Sequence, residues 1–383
     1  MSVTTPHGFR AAGVTAGLKP SGKPDLALVV NDGPSHNAAA VYTGNRCKAN
    51  PVLWSEQVSA DGIVHAVVLN SGGANCYTGQ AGFQTTHRTA EAVAEELGIS
   101  ASDVVVCSTG LIGAPLPEDK LLPGVATAAG RLSADGGDDA AGAIITTDTH
   151  AKTVELAGEG YSVGGMAKGA GMLAPGLATM LVVLTTDADV DAATLDGALR
   201  TACAQTFDRL DTDGCMSTND TVVLMASGAS GITPDAADLT ALVTEACAQL
   251  TAQLHTDAEG AHHDIAITTR GAATETDAVT ASRAVARSNL FKAAVFGNDP
   301  NWGRVLAAIG TTDAAFTPAE VDVAVNDVWV CKAGTPHADP ATVDLTPRAV
   351  SVTIDLHAGS SDATIWTSDL THDYVEENSA YST

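Results

Sequence analysis

The sequence has few basic residues and no apolar stretch of membrane-spanning length. It contains 19 Lys and Arg residues against 45 Asp and Glu residues, which gives a formal net charge of −26 at pH 7. Because the chain has no Lys/Arg cluster, it is not predicted to bind nucleic acid or an anionic membrane. The most membrane-like segment, residues 169–186, falls short of the ~20 residues that a span needs and contains Pro175.

Cysteine pairs, metal motifs and targeting signals are missing as well. The odd number of cysteines includes no C-x-x-C pair, a pattern typical of reduced thiols and not of a disulfide or zinc framework. His262 and His263 are followed by Asp264, but without the spacing that metal ligands require. Residues 1–12 contain no apolar core of a secretory signal. We therefore expect a cytoplasmic protein with no metal site.

What the sequence does contain is typical of a compact globular protein. Hydrophobic residues make up 45% and charged residues 17% of the chain, which excludes intrinsic disorder. Apolar runs alternate with amphipathic segments, and no Pro/Ser-rich linker separates them. This order predicts an α/β fold in which mixed sheets are layered with helices and two lobes share one core.

The individual elements follow from the period of the apolar residues. Strands are predicted at residues 26–30, 41–42, 52–54, 63–69, 104–106, 153–156, 180–184, 222–225, 265–267, 321–330, 350–356 and 363–366. Helices are predicted at residues 86–97, 189–207, 233–250 and 284–296. Residues 130–142 are predicted to be a polar surface region, and the tail, residues 374–383, is predicted to be unstructured.

The segment 168–186 joins a pliable loop to a buried strand. Its Gly-rich first part contains Pro175, and Ala178 and Thr179 then precede an apolar run. The Thr179 hydroxyl can attack the Ala178 carbonyl, and hydrolysis of the resulting ester would make Thr179 the first residue of a new chain. Its freed α-amine, with an ordinary pKa of about 7.7–8, would be a base beside its own hydroxyl. An ordinary strand start is the alternative interpretation.

The same segment fits a nucleotide-binding pattern only superficially. Residues 169–174 match the dinucleotide fingerprint G-x-G-x-x-A, which must follow a strand and open a helix. Pro175, Gly176 and a β-type run follow here instead. The nucleotide interpretation is therefore rejected.

A Thr-Gly pair follows another predicted buried strand. Thr109 and Gly110 come shortly after the run 104–106. In that position a hydroxyl and backbone N–H groups can point into a cleft and form an oxyanion hole. An ordinary turn would explain the same residues.

Several motifs occur in a fixed order along the chain. They are NSGGAN (70–75), CSTGLIG (107–113), TTDT (146–149), KGAGMLAPGLATM (168–180), STNDT (217–221), EGA (259–261), NDPNWGR (298–304) and ENSAYST (377–383). Together they resemble the ornithine acetyltransferase family, the bifunctional glutamate N-acetyltransferases of the cyclic arginine pathway. The sequence departs from the family at Gly73, where Asn is frequent, and at Cys215 and Met216, where Asp-Thr is common.

The resemblance implies cleavage between Ala178 and Thr179. It also implies an N-terminal-nucleophile fold of the DmpA/ornithine-acetyltransferase type and a heterotetramer of two chains 1–178 and two chains 179–383. The implied reaction is ping-pong: N2-acetyl-L-ornithine acetylates Thr179, and L-glutamate then takes the acetyl group. Members with the wider activity also use acetyl-CoA as a donor to glutamate, and no other cofactor is implied.

Residue roles are implied in the same way. Thr109 and Gly110 would form the oxyanion hole, and Thr179 would be the nucleophile. The substrate contacts would come from Thr146, Lys168, Thr179, Glu259, Asn378 and Thr383. Lys168 is a suitable cation for a substrate α-carboxylate, and we expect Glu259 to meet the second amine of ornithine.

Two other functions stay open at this point. A self-processing aminopeptidase or amidase of the same architecture would use water as the final acceptor, and so would deacetylate acetylornithine without glutamate. A non-enzymatic binding protein would keep the bond between Ala178 and Thr179 intact, which the mass of the chain would show.

Overall fold

The computed structural model describes residues 2–174 and 180–380. Its strands form three sheets of four, five and six strands, layered with helices, which confirms the predicted mixed α/β fold. Within the described ranges no helix combines the length and the apolar character needed to cross a bilayer.

The elements are numbered in chain order. The strands are β1 (Phe9–Val14), β2 (Leu26–Asn31), β3 (Ala38–Tyr42), β4 (Ala66–Asn70), β5 (Val104–Ser108), β6 (Lys152–Ala157), β7 (Ser162–Lys168), β8 (Leu181–Thr186), β9 (Thr221–Ala226), β10 (Asp264–Ala272), β11 (Asp322–Val325), β12 (Val328–Lys332), β13 (Thr335–Pro336), β14 (Ala349–Asp355) and β15 (Ser361–Ser368). The α-helices are α1 (Asn50–Val58), α2 (Gly79–Leu97), α3 (Glu118–Ala129), α4 (Gly137–Ile144), α5 (Ala192–Gln205), α6 (Ala236–Thr256), α7 (Glu275–Ala286), α8 (Asn289–Phe296), α9 (Trp302–Ile309) and α10 (His372–Ala380).

Two of the sheets share an apolar core. One has the strand order β1-β2-β4-β5 and the other has the order β3-β9-β8-β7-β6. Their inner faces and α4 contribute to a single cluster, which includes Val67, Ile144 and Val183. Helices α2 and α3 cover the outer face of the first sheet, and α5 and α6 cover the outer face of the second. The result is a layered arrangement in which α2, α3, α5 and α6 lie outside the two sheets and α4 lies in the core that the sheets share.

The third sheet forms the C-terminal part of the fold. Its order is β13-β12-β11-β14-β10-β15, and helices α7, α8 and α9 share its apolar cluster. At its edge, the Asp211 N–H donates to the Trp366 carbonyl oxygen at 2.8 Å. Trp366 also packs against the cluster of α5 and α6, so the sheet is joined to the rest of the core.

Strand β8 lies in the middle of its sheet. It pairs antiparallel with β7, where Leu181 is opposite Lys168, and parallel with β9, where Leu181 is opposite Thr221. All six residues of β8 are buried. Strands β3, β6 and β7 precede the undescribed residues 175–179, while β8 and β9 follow them. One sheet therefore contains strands from both sides of the predicted cleavage bond.

The strand predicted at residues 52–54 is wrong. These residues lie in α1, which has Pro51 in its first turn. Proline is favoured there because its fixed φ suits a helix and its missing N–H would have no partner anyway. Three apolar residues are too few to distinguish a period of two from one of 3.6.

The polar surface region predicted at residues 130–142 is wrong in its second half. Helix α4 begins at Gly137, and its alanines are buried. A Cβ atom on Gly13 of β1 would come within 1.9 Å of the Asp139 carbonyl oxygen. Small residues are thus needed for α4 to approach β1, and their loop-like composition hides a buried helix.

Two of the longer predicted elements each correspond to two shorter elements in the structure. The helix predicted at 284–296 is divided between α7 and α8, because the Ser288 side chain caps the start of α8. The strand predicted at 321–330 is a hairpin of β11 and β12. Asn326 and Asp327 connect them with φ values of 44° and 63°, as a type I′ turn requires.

Candidate active site

Three of the sequence motifs meet at one edge of the first sheet. Strands β4 and β5 are parallel neighbours, so the loops that follow them leave the sheet side by side. The Asn219 Nδ2 group donates to the Ala74 carbonyl oxygen at 2.7 Å and to the Ser108 carbonyl oxygen at 2.8 Å. This buried amide holds both loops to the chain that enters β9.

Thr109 and Gly110 lie in the second of these loops. The Thr109 N–H donates to the Asn70 carbonyl oxygen at 3.0 Å, and the side chain is buried. Gly110 has a φ of 127°, and a Cβ atom there would lie 2.9 Å from the Gly73 nitrogen, so the position requires glycine. Among the described residues the Gly110 N–H has no acceptor. The arrangement offers one hydroxyl and one backbone N–H to a ligand.

Lys168 ends β7 with its side chain buried next to this loop. Its Nζ group donates to the Thr109 Oγ1 atom at 3.3 Å. Burial lowers the pKa of Lys168, while the carboxylates of Asp148, Asp220 and Glu259 oppose that change. In the described part of the chain no carboxylate forms an ion pair with it. This ammonium group can therefore accept an anionic ligand.

A fully buried ion-pair cluster lies next to Lys168. Lys152 Nζ lies 2.6 Å from Asp148 Oδ1 and 2.6 Å from Asp257 Oδ2. Asp148 also accepts the Gly169 N–H at 2.6 Å and the Thr146 N–H at 2.9 Å. The cluster thus fixes the backbone on both sides of the predicted site. The TTDT motif, which contains Asp148, was the one signal of this cluster in the sequence.

Part of the free energy of unfolding depends on the negative charge of Asp148, and this part is lost at acid pH. Burial alone would raise its pKa, but Lys168, Lys152 and the Gly169 N–H outweigh burial and lower the pKa to about 2. Since the folded pKa lies below the unfolded value, the stabilisation is complete above about pH 4 and is lost as the pH falls towards 2.

We expect the stability difference between the wild type and Asp148→Asn to shrink by about 2 kcal/mol between pH 5 and pH 2. Urea unfolding at each pH measures it. The control is Asp344→Asn, because the Asp344 side chain is exposed and, among the described residues, bonds only to Thr346. A constant difference between the wild type and Asp148→Asn over this pH range would contradict the assignment.

Glu259 lies in the turn after α6 and is held by three segments. Its Oε1 atom accepts the Thr147 hydroxyl at 2.7 Å, and its Oε2 atom accepts the Asn378 Nδ2 group at 3.0 Å. The Glu259 N–H donates to the Ala170 carbonyl oxygen at 3.0 Å. A Cβ atom on Gly171 would lie 2.3 Å from Oε2, so a larger residue there would displace this carboxylate.

A cavity of about 800 Å³ borders Glu259 and the last helix. Its acidic lining residues are Asp257, Glu259, Asp373, Glu376 and Glu377. His262 and Arg348 line the cavity as well, but the acidic residues outnumber them, so the lining favours a cationic ligand over an anionic one.

The tail, which was predicted to be unstructured, is helical over α10. No residue of this helix is buried, so the sequence shows no apolar period that would reveal it. The helix is held at its start by the Thr371 hydroxyl, which donates to the Gly260 carbonyl oxygen at 2.6 Å. Near its end Asn378 contacts Glu259. The helix therefore brings the tail to the predicted site.

Two acidic residues hold the chain on either side of residues 175–179. The Met172 N–H donates to Asp213 Oδ2 at 2.6 Å, and the Met180 N–H donates to Asp220 Oδ1 at 3.0 Å. In the sequence both carboxylates belong to the polar stretch 211–221, which leads to β9. Nothing in a local pattern shows that they reach across to another segment.

Most of the predicted site residues are thus close together. Thr109 and Lys168 are in contact, Thr146 is linked to them through Asp148, and a second group joins Glu259 to Asn378. The predicted cleavage bond between Ala178 and Thr179, and the predicted substrate contact Thr383, lie outside the described residues. No group of three or more His, Cys, Asp or Glu residues in the described chain is arranged to hold a metal ion.

Known proteins match this chain along its whole length. Residues 10–383 match the model of the ArgJ family. The chain is 62% identical over 383 residues to the arginine biosynthesis bifunctional protein ArgJ of Thermobifida fusca, with 100% of both chains covered. It is also 62% identical over 382 residues to the protein of the same name from Streptomyces coelicolor, again with 100% of both covered. Among solved structures, it is 55% identical to an ornithine acetyltransferase complexed with ornithine from Mycobacterium tuberculosis. The match covers 47% of this chain and 96% of that one, and its TM-score is 0.45.

Proposed function

Because the chain belongs to the ArgJ family, we propose that it transfers the acetyl group of N2-acetyl-L-ornithine to L-glutamate. Family membership makes the protein an acyltransferase of arginine biosynthesis. The observation that carries the proposal is the full-length match at 62% identity. The contact between Lys168 and Thr109 adds a physical basis for it.

The proposed nucleophile is Thr179 after self-cleavage of the bond to Ala178. In the cleavage, the Thr179 oxygen bonds to the Ala178 carbonyl carbon, the C–N bond breaks, and the nitrogen takes up the hydroxyl proton. Water then hydrolyses the ester, which leaves a carboxylate on Ala178 and a free hydroxyl and amine on Thr179. The α-amine can afterwards remove the hydroxyl proton in each acetyl transfer.

Thr109 and Gly110 would stabilise the charge that develops on the acetyl oxygen. Because the Thr109 oxygen accepts a hydrogen bond from Lys168, its own proton is available to donate to an oxyanion. The Gly110 N–H would provide the second donor. Removing one donor of this kind typically slows acyl transfer by about 10²- to 10³-fold.

Lys168 and Glu259 would bind opposite ends of the amino-acid substrate. The Lys168 ammonium has three N–H donors, so it can bind an α-carboxylate while it still contacts Thr109. Glu259 and the acidic cavity beside it would attract the second amine of ornithine. Thr146, Asn378 and Thr383 would complete the substrate contacts.

The proposed mature enzyme consists of chains 1–178 and 179–383, which stay together. Both chains contribute strands to one sheet, where β8 and β9 of the second chain lie between β3 and β7 of the first. We propose two copies of each chain in a cytoplasmic heterotetramer that needs neither a cofactor nor a metal. Acetyl-CoA is proposed as a second acetyl donor to glutamate.

The hydrolase alternative is not favoured, because the family match spans residues 10–383 and the relatives in it are named as biosynthetic proteins. A non-enzymatic role is not favoured for the same reason.

Incubating the purified protein with acetylornithine, with and without glutamate, tests the proposal. We expect ornithine to be released at an appreciable rate only when glutamate is present, together with an equal amount of acetylglutamate. Chromatography of the amino acids measures both products. Equal release without glutamate would show a hydrolase instead. A parallel reaction with acetyl-CoA and glutamate, without acetylornithine, tests the second donor.

A further inference from the structure

Arg348 connects the start of β14 to the start of β10. Its Nε atom donates to Asp264 Oδ2 at 2.9 Å, and its Nη2 atom donates to Asp264 Oδ1 at 3.0 Å. The backbone joins the same two residues, because the Asp264 N–H donates to the Arg348 carbonyl oxygen at 2.8 Å. Two parallel side-chain bonds of this kind fix the plane of a guanidinium group.

Two further N–H groups of Arg348 hold the two ends of the turn after α6. Nη2 also donates to the Thr256 carbonyl oxygen at 2.8 Å, and Nη1 donates to the Ala261 carbonyl oxygen at 3.2 Å. Thr256 is the last residue of α6, so its carbonyl oxygen has no partner within the helix, and a cation there is favourable. One side chain therefore fixes the separation of the two ends of residues 257–260.

This turn carries two carboxylates with different partners. Asp257 belongs to the buried ion-pair cluster, where its Oδ2 atom lies 2.6 Å from Lys152 Nζ. Glu259 borders the acidic cavity and is the residue proposed to meet the second amine of ornithine. Next to it, a Cβ atom on Gly260 would come within 2.2 Å of the Tyr374 nitrogen, so α10 packs directly against the turn. A displaced turn would therefore move Glu259 relative to the cavity.

The contacts from other segments act on the middle of the turn. The Glu259 N–H donates to the Ala170 carbonyl oxygen, and the Gly260 carbonyl oxygen accepts the Thr371 hydroxyl. Among the described residues, Arg348 is the side chain that bonds to both ends.

We propose that Arg348 is a positioning residue for Glu259 and thereby determines how tightly the enzyme binds the cationic end of ornithine. By holding Thr256 and Ala261 at a fixed separation, it keeps the Glu259 carboxylate at the border of the acidic cavity. The inference rests on the proposed function, because that function supplies the cationic ligand of Glu259.

The charge of Arg348 and its hold on the turn would change the affinity in opposite directions. Arg348 itself lines the cavity, so its positive charge repels a cationic ligand. Loss of the charge alone would therefore strengthen the binding of ornithine. Loss of the hold on the turn would weaken it, because a displaced carboxylate makes a poorer charge-assisted hydrogen bond. The direction of the change distinguishes the two effects.

The variant Arg348→Met tests the inference, because methionine keeps an unbranched side chain but has no N–H donor. We expect the KM for acetylornithine, and the Kd for L-ornithine measured by calorimetry, each to rise on the order of 10-fold. We expect kcat to change by less than about 2-fold, since only substrate binding is weakened. The KM for glutamate should change little, because glutamate has no second amine. A variant that was merely less stable would lose active protein, which lowers kcat at an unchanged KM.

Arg270→Met is the matched control. Arg270 lies in β10 and pairs with Asp355 at 2.8 Å, and its side chain is exposed to a similar degree, 51% against 47% for Arg348. It is not among the residues that line the cavity. We expect wild-type values of KM and Kd in this variant.

Arg348→Lys separates the charge from the hydrogen bonds. Lysine keeps the positive charge but lacks the planar fork that reaches Asp264 and both carbonyl oxygens. We expect it to bind L-ornithine more weakly than the wild type and more tightly than Arg348→Met.

The outcomes distinguish this inference from the proposed function. A Kd for L-ornithine that is unchanged or lower in Arg348→Met overturns the inference, and so does an equal rise in Arg270→Met. If Arg348→Met does not fold, Arg348→Lys decides, and a wild-type Kd in that variant overturns the inference. A wild-type protein that neither binds L-ornithine nor transfers acetyl groups contradicts the proposed function itself.

Discussion

Thr179→Ala is expected to yield one uncleaved chain of 38.6 kDa with no acetyl transfer. The methyl group cannot attack the Ala178 carbonyl, so the peptide bond has no intramolecular route to an ester. Even a chain cut by other means would lack the oxygen that is proposed to carry the acetyl group. A denaturing gel and an acetyl-transfer assay on the same preparation measure the two losses.

Thr179→Ser is the matched control, because it keeps a hydroxyl at the same position. We expect it to split into two chains and to retain measurable transfer. If Thr179→Ala still splits on the gel, or transfers acetyl as an intact chain, the nucleophile lies elsewhere. A Thr179→Ser variant that behaves like Thr179→Ala would show that more than the hydroxyl is required.

Lys152→Met is expected to reduce the free energy of unfolding by about 3–5 kcal/mol. Its ammonium group is fully buried between Asp148 and Asp257, at 2.6 Å from each. Methionine has a similar length, so packing is largely kept, but two buried carboxylates lose the ammonium group that pairs with both of them. Urea unfolding at neutral pH, followed by circular dichroism, measures the change.

Arg200→Met provides the comparison for this prediction. Arg200 pairs with Asp196 at 2.8 Å, but both side chains are largely exposed, at 60% and 44%. Exposed pairs contribute at most about 1 kcal/mol, because water and salt screen them. A loss in Lys152→Met no larger than that in Arg200→Met would mean that the buried cluster is not a structural support.

The strands of the core could be predicted because they are buried on both faces. Apolar runs at residues 63–69, 104–106 and 222–225 predict β4, β5 and β9, and every residue of these three strands is buried, although β5 lies at the edge of its sheet. The end of α2 was predictable for another reason. Gly98 has a φ of 68°, the left-handed conformation that ends helices at glycine.

Elements that depend on a distant neighbour could not be predicted from local pattern. Helix α4 is buried because small residues allow close contact with β1, and α10 is ordered through its contacts with the turn after α6. Neither shows an apolar period of its own. The helices α3 and α9 were missed as well.

The residues of the candidate site also include some that the sequence could predict and some that it could not. The Thr-Gly pair and Lys168 lie in local motifs, so the resemblance could assign them. The bond between Lys152 and Asp257 joins residues 105 positions apart, and no spacing rule connects them. The partner of a buried charge becomes visible only when the fold brings the two segments together.

The central place of β8 also dictates when the proposed cleavage occurs. If residues 1–178 folded alone, the edge of β7 would stand open with unpaired N–H and C=O groups, a template for association with other chains. The sheet must therefore close while the polypeptide is still continuous. The proposed scission would then cut the connection between β7 and β8, which already pair in one sheet, so maturation would take place inside a finished fold.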